Sequence, residues 1–174
     1  MPELAWFRKN AYNIGAQRCD DWDLPHIVRI FTACLDFTAC YPTDLPLQDS
    51  QELSLMAMRC HFIIAAAHVS LARTTDQVAE QAQRYLEVRQ HADAFHEHLC
   101  TETSHQDERV IGDLHAKLAT TFIFDFEGAV ALKNWDDLGT IVRRANLCRD
   151  QVMLKAMGDC LLRSHAPGKG TIVA

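Results

Sequence analysis

Nine histidines and seven cysteines are spread over 174 residues, and they are the first places to look for chemistry. The densest run is "HADAFHEHLC" at 91–100, with His91, His96, His98 and Cys100. On a helix, His96 and Cys100 stand one turn apart and are able to share a metal ion, while His91 and His98 align with each other on a different side. A closed zinc site takes four convergent ligands. No second cluster supplies the remainder, so the run reads as surface histidines on an acidic helix. "ETSH" at 102–105 fits the Glu-x-x-His element of di-iron bundles. That chemistry takes a second such element and further inward glutamates, and only Asp93 with His96 echoes it.

Three other stretches invite a catalytic or ligand-binding reading and fail on geometry. "DDWD" at 20–23 has the look of a carboxylate cluster, but it falls where one helix ends and the next begins, and aspartate is favoured there as a cap. "GKG" at 168–170 lacks the spacing and the strand–helix setting of a phosphate loop. Cys60 and His61 are adjacent, and neighbours on a helix point about 100° apart, which is poor for a nucleophile and its base. The expectation is therefore no catalytic residue, no metal and no cofactor.

Composition narrows the classes further. Hydrophobic residues make up 48% and charged residues 23%, as in ordinary globular domains. The net charge of −6 argues against a sequence-independent grip on nucleic acid, which depends on Lys and Arg at the phosphates. The densest basic run, "RRANLCR" at 143–149, reads as a solvated helix face. Seven cysteines without a CxxC pair, behind an N-terminus that lacks a signal peptide, imply reduced thiols in the cytosol or nucleus. The most apolar stretch, "FIIAAAHVSLA", is shorter than a bilayer span, so no transmembrane helix is expected.

The elements that must position these residues are helices. Only five prolines are present, at the ends or at 25, 42 and 46, and no segment alternates with period two. The first helix is expected over Leu4–Cys19, with Trp6, Phe7, Ala11, Ile14, Gly15 and Cys19 near one face. Asp23 is expected to cap the second, which stops at "YPTDLP". A third begins near Asp49 or Ser50, and a fourth is capped by Thr75. The fifth runs from Val110 to Leu132, its second half apolar nearly all round and so buried on more than one side. The sixth runs from Asp136 or Asp137 to about Arg163. Residues 165–174 form a disordered tail behind a domain spanning 3–164.

Six helices with short links give three antiparallel hairpins. A repeat supports this arrangement. "DL..IVR" occurs twice, as Asp23, Leu24, Ile27, Val28 and Arg29 and again as Asp137, Leu138, Ile141, Val142 and Arg143, an offset of 114 residues. That offset is about three units of ~38 residues, near the period of TPR-type hairpins. Both copies fall at the start of a second-of-pair helix. The fold class is all-α: a TPR-like stack, a fragment of an α-solenoid. In such arrays the first helix of each hairpin lines the concave side, which makes Asn10 and Asn13 the candidate partner-binding residues.

"WFRKNAYNIG" (6–15), "YLEVRQHADAF" (85–95) and "FDFEGAVALKNWDDLGTIVRRA" (124–145) carry a resemblance. In these segments the chain resembles the meiosis-specific TPR-like proteins of the Spo-twenty-two/Zip-four family, in its filamentous-fungal form. The similarity runs from residue 3 to about 166, and its last segment is the most distinctive. The resemblance implies a non-enzymatic, nuclear, chromosome-associated scaffold. Its role would be to bridge chromosome-axis and crossover proteins during meiotic crossover formation and synaptonemal complex assembly. Family members are several times longer, so a fragment or shortened product is expected, with self-association through exposed solenoid ends. The alternative is a cytoplasmic TPR adaptor that captures peptide tails. Neither reading calls for direct contact with nucleic acid or membrane.

Overall fold

From residue 47 to residue 166 the chain contains no proline, so every break in that span has to come from caps and polar residues. A computed structural model describes residues 2–42, 44–102, 108–148 and 150–165. It contains α1 (Pro2–Arg18), α2 (Leu24–Ala39), α3 (Leu47–Thr74), α4 (Val78–Glu102), α5 (Glu108–Ala131), α6 (Trp135–Ala145) and α7 (Gln151–His165). A 3-10 turn, Asn146–Cys148, joins the last two. No strand occurs among the described residues. The protein is all-α.

Consecutive helices run antiparallel. Phe7 stacks on Phe37 and Tyr12 meets Phe31 edge-on across α1 and α2. Ser54 faces His98, His61 faces His91, and Gln81 donates to the Ala72 carbonyl across α3 and α4. Tyr85 meets Glu127 and Arg89 meets Asp125 across α4 and α5. The odd-numbered helices share one direction. Lys117 lies over the Phe62 ring, and Arg73 forks onto Glu127 at 2.8 and 2.5 Å, so α5 runs parallel to α3. α7 continues the layer beside α5: Cys148, Asp150 and Gln151 border His115, and Cys160, Arg163 and Ser164 border Val130. One layer of parallel helices backed by antiparallel partners is the geometry of a helical-hairpin stack.

The expected single sixth helix is two helices. Asn146 ends α6, and the Asp150 carboxylate accepts from the backbone N–H groups of Val152 (2.8 Å) and Met153 (3.3 Å), which caps α7. Asp and Asn compete with the backbone in this way, so they stop helices that apolar periodicity alone would carry through. The restart also changes the phase. Val152 is 76% exposed, while Met153, Met157 and Cys160 are buried. Two starts differ as well: α3 begins at Leu47 behind Pro46, and Thr75 is the C-cap of α3, its hydroxyl accepting from the Gln77 N–H at 3.3 Å. Asp23 does cap α2, accepting from the His26 N–H at 2.9 Å.

α3 feeds all three clusters of buried residues. Met58 joins Phe95, Phe122 and Phe126; Cys60 and Ile64 join Ile27, Phe31 and Cys34; Val69 and Ala72 join Tyr85 and Val88. Burial on several sides explains why α3 is long and apolar enough to cross a membrane by length and composition, although the expectation was of no such helix. Its buried positions face α2, α4 and α5, which is the place of a core helix. α5 is likewise packed against α3, α4, α6 and α7, as its all-round apolar second half requires.

Ile27 and Ile141, equivalent positions in the repeat, are both buried, and Arg29 and Arg143 are both exposed. The two copies share this burial pattern but not their place in the helix: Asp23 is the N-cap of α2, whereas Asp137 is the third residue of α6, which Asn134 precedes as N-cap. α1 departs from expectation. Ala11 and Gly15 are buried as expected and Arg8 is buried with them, while Trp6, Phe7 and Ile14 are exposed, Phe7 at the edge where it stacks on Phe37. The heavier aromatic face was taken as the inner one, and an arginine holds that place instead. The tail from 166 onward lies outside the described residues, as do "GKG" at 168–170 and His105 of "ETSH".

Candidate functional site: histidines between α3 and α4

α3 carries His61 and His68, seven residues apart, and α4 carries His91 and His98, also seven apart. Seven residues are close to two helical turns, so each pair forms a short stripe. Antiparallel packing lays one stripe against the other. The Nδ1 atoms of His61 and His91 are 2.8 Å apart, and His98 Nδ1 is 3.2 Å from Ser54 Oγ. The His61 ring lies 5.8 Å from that of His98, and the His68 ring stacks on His91 at 6.1 Å with 16° between planes. A 2.8 Å contact between two ring nitrogens has one of them donating and the other accepting, so at least one ring is neutral.

At the α3–α4 seam, His68, Glu87 and His91 each direct a potential ligand atom to within 4.8 Å of the other two. His68 is only 5% exposed, and its Nδ1 is buried without a hydrogen-bond partner. Burial, with His91 and His98 nearby, pushes His61 down to about 3. Burial and His91 push His68 down to about 4, with Glu87 opposing. His91 is also lowered by burial, again against Glu87. These imidazoles are neutral at pH 7 and keep their nitrogen lone pairs. Arg84 also lies near His68, and it pairs with Glu80 at 3.2 Å.

α4 differs from the surface helix expected. His91 and His98 are half-buried against α3 and are not surface histidines. Their partners were missed because His61 and His68 stand alone in sequence, thirty residues upstream. The available signal was the shared seven-residue spacing on two helices expected to pair. His96 and Cys100 do meet, with Nε2 and Sγ 3.6 Å apart, but on the side of α4 where His96 packs on Phe122. Cys60 and His61 diverge as expected: Cys60 faces Cys34 in the α2–α3 core, where donating its S–H to Cys34, together with burial, raises its pKa.

Asn10 donates to the carbonyl of Trp6 at 2.8 Å, within its own helix, and Asn13 is exposed. Arg8, not singled out from sequence, is 3% exposed and bonds Glu52 at 3.1 Å and the Tyr41 hydroxyl at 3.3 Å. It forms one wall of a cleft of about 300 Å³ between α1, the α2–α3 link and α3. Arg144, read as solvated, pairs with Asp93 at 2.5 Å and lies over Phe122; Arg143 is exposed as expected, and Arg149 lies outside the described residues. Comparison with protein-family models, with curated proteins and with solved structures finds no match to this chain.

Proposed function

We propose that the chain is a non-catalytic helical-repeat scaffold that holds other proteins. The observation that carries this reading is the outer face of α1. Trp6, Phe7 and Ile14 are exposed there, and the Trp6 and Phe7 rings brace each other edge-on at 5.1 Å. Clustered exposed aromatics mark interaction surfaces, and Trp is prominent among the residues that anchor them. The parallel layer of α3, α5 and α7 supports the reading too, since stacked hairpins present extended surfaces to partners.

The segments at 6–15, 85–95 and 124–145 supply the biological setting through their resemblance to the Spo-twenty-two/Zip-four proteins. On that reading the chain is nuclear and chromosome-associated, and its partners are chromosome-axis and crossover proteins. The test is loss of the gene in the source organism, followed by counts of spores and meiotic crossovers. Fewer crossovers are expected, and the double variant Trp6→Ser/Phe7→Ser should reproduce the loss while keeping its helical circular dichroism. Normal meiosis would reject the setting, and a fully active double variant would reject the surface. The alternative, a cytoplasmic adaptor for peptide tails, draws less support. Asn10 is bonded to its own helix and Arg18 is paired with Asp21 at 3.0 Å.

A further inference from the structure

We propose that His68, Glu87 and His91 bind a transition-metal dication, zinc by ligand class, in the seam between α3 and α4. Two helices deliver the three groups to within 4.8 Å of one another, close enough for small side-chain rotations to bring them onto one ion. Zinc binds imidazole nitrogen and carboxylate oxygen at about 2.0–2.2 Å. The second observation is independent of this clustering. The Nδ1 of His68 is buried with no partner, and such a nitrogen costs on the order of 1–3 kcal/mol unless something satisfies it. A bound cation would draw on a ring nitrogen of His68 and orient the other.

The surroundings fit a ligand set better than an inert stack. His91 has its Nδ1 engaged with His61 at 2.8 Å, which leaves Nε2 for the ion and lets Nδ1–H donate to His61. Histidine ligands are commonly fixed by such a hydrogen bond from the nitrogen that does not touch the metal. Glu87 supplies one negative charge, and the nearby Arg84 is held by Glu80. Two imidazoles and a carboxylate favour zinc and its transition-metal neighbours over magnesium or calcium, which prefer all-oxygen shells. With three protein ligands the fourth position falls to water or to a group from a partner. The ion would also tie α3 to α4, so it would act on the stability of the stack.

The experiment is titration of the full chain, stripped with a chelator, with Zn2+ by calorimetry and with Co2+ by visible absorption. Expected are one equivalent bound with a dissociation constant of about 1 µM or lower, a tetrahedral Co2+ spectrum, and a rise in melting temperature with Zn2+. Glu87→Gln and His91→Gln should each weaken binding by about tenfold or more and abolish the thermal shift. Circular dichroism identifies any variant that fails to fold, and Glu87→Gln, at a half-buried position, guards against that outcome. The double variant His96→Ala/Cys100→Ser should bind as the parent does. Absence of binding, or binding lost only when His96 and Cys100 are replaced, would overturn the site.

Discussion

Lys133 sits at φ 60°, the one non-glycine residue with positive φ among those described. It follows α5 in a Schellman arrangement, with Asn134 N–H bonded to the Ala129 carbonyl (2.8 Å) and Lys133 N–H to that of Val130 (3.1 Å). Glycine adopts this conformation without the Cβ clash that costs other residues about 1 kcal/mol or more. Lys133→Gly is expected to stabilise the protein by about 0.5–1 kcal/mol in urea denaturation, and a loss of stability would contradict the geometry. Acid should act through the histidine seam. His61 faces His91 and His98, and His68 faces His91, Glu87 and Arg84. Both have folded pKa values, about 3 and about 4, below the ordinary value of about 6.5. Between those limits the unfolded chain binds more protons, so stability is retained above about pH 6.5 and falls as pH drops. At pH 5 with chelator present, His68 alone should account for a loss of about 2 kcal/mol relative to pH 7.5. His68→Leu should remove its share of that profile and leave the share of His61, and an unchanged profile would mean the His68 ring is not held neutral.

Contacts between helices decide more than caps do, and two of them separate good from poor substitutions. A methyl carbon on Gly128 would lie 2.9 Å from Tyr85 Cδ1, and the ring cannot swing away freely because its hydroxyl donates to Glu127 at 3.1 Å. Replacing a helical glycine by alanine gains up to about 1 kcal/mol, whereas overpacking costs about 1–3 kcal/mol. Gly128→Ala should therefore lose about 1 kcal/mol, and Gly128→Val more. Gly112 and Gly139, with nothing within 4 Å of the added carbon, should gain stability as alanines. Equal effects at all three positions would refute the close approach of α4 and α5. Arg89 bridges α4 to α5 and α6, at 2.9 Å from the buried Asp125 and 2.6 Å from Asp137. Burial pushes the Asp125 carboxyl up against the pull of Arg89. Arg89→Met leaves that carboxylate unpaired and should cost about 3 kcal/mol, while Asp137→Asn, at a far more exposed partner, should cost less than about 1 kcal/mol. Thermal melts of the pair would separate these cases. Helix existence was legible in the sequence because apolar spacing reports burial directly. The break after Ala145 was not, since apolar residues continue on both sides and only Asn146 and Asp150 mark it. Nor was the inner face of α1: periodicity weighs hydrophobicity, and here Glu52 and Tyr41 make an arginine the buried residue.

The three clusters of buried residues join through α3, while α1 and α7 each turn an apolar side outward. On α1 that side holds Trp6, Phe7 and Ile14; on α7 it holds Val152 and Leu162, both more than 70% exposed. Solenoid ends ordinarily carry polar outer faces, because an apolar one favours association. The two faces belong to different helices, so a head-to-tail contact is heterologous and can repeat, whereas a like-with-like contact of α1 closes as a dimer. The expected result in light scattering is a mass that rises with protein concentration. Trp6→Ser/Phe7→Ser should return the chain to a monomer if α1 takes part in every contact. If Val152→Ser/Leu162→Ser has the same effect, the contact is α1 against α7. If it has none, two copies of α1 meet. A strict monomer at all concentrations would leave the α1 face free for a different protein and remove self-association from its role.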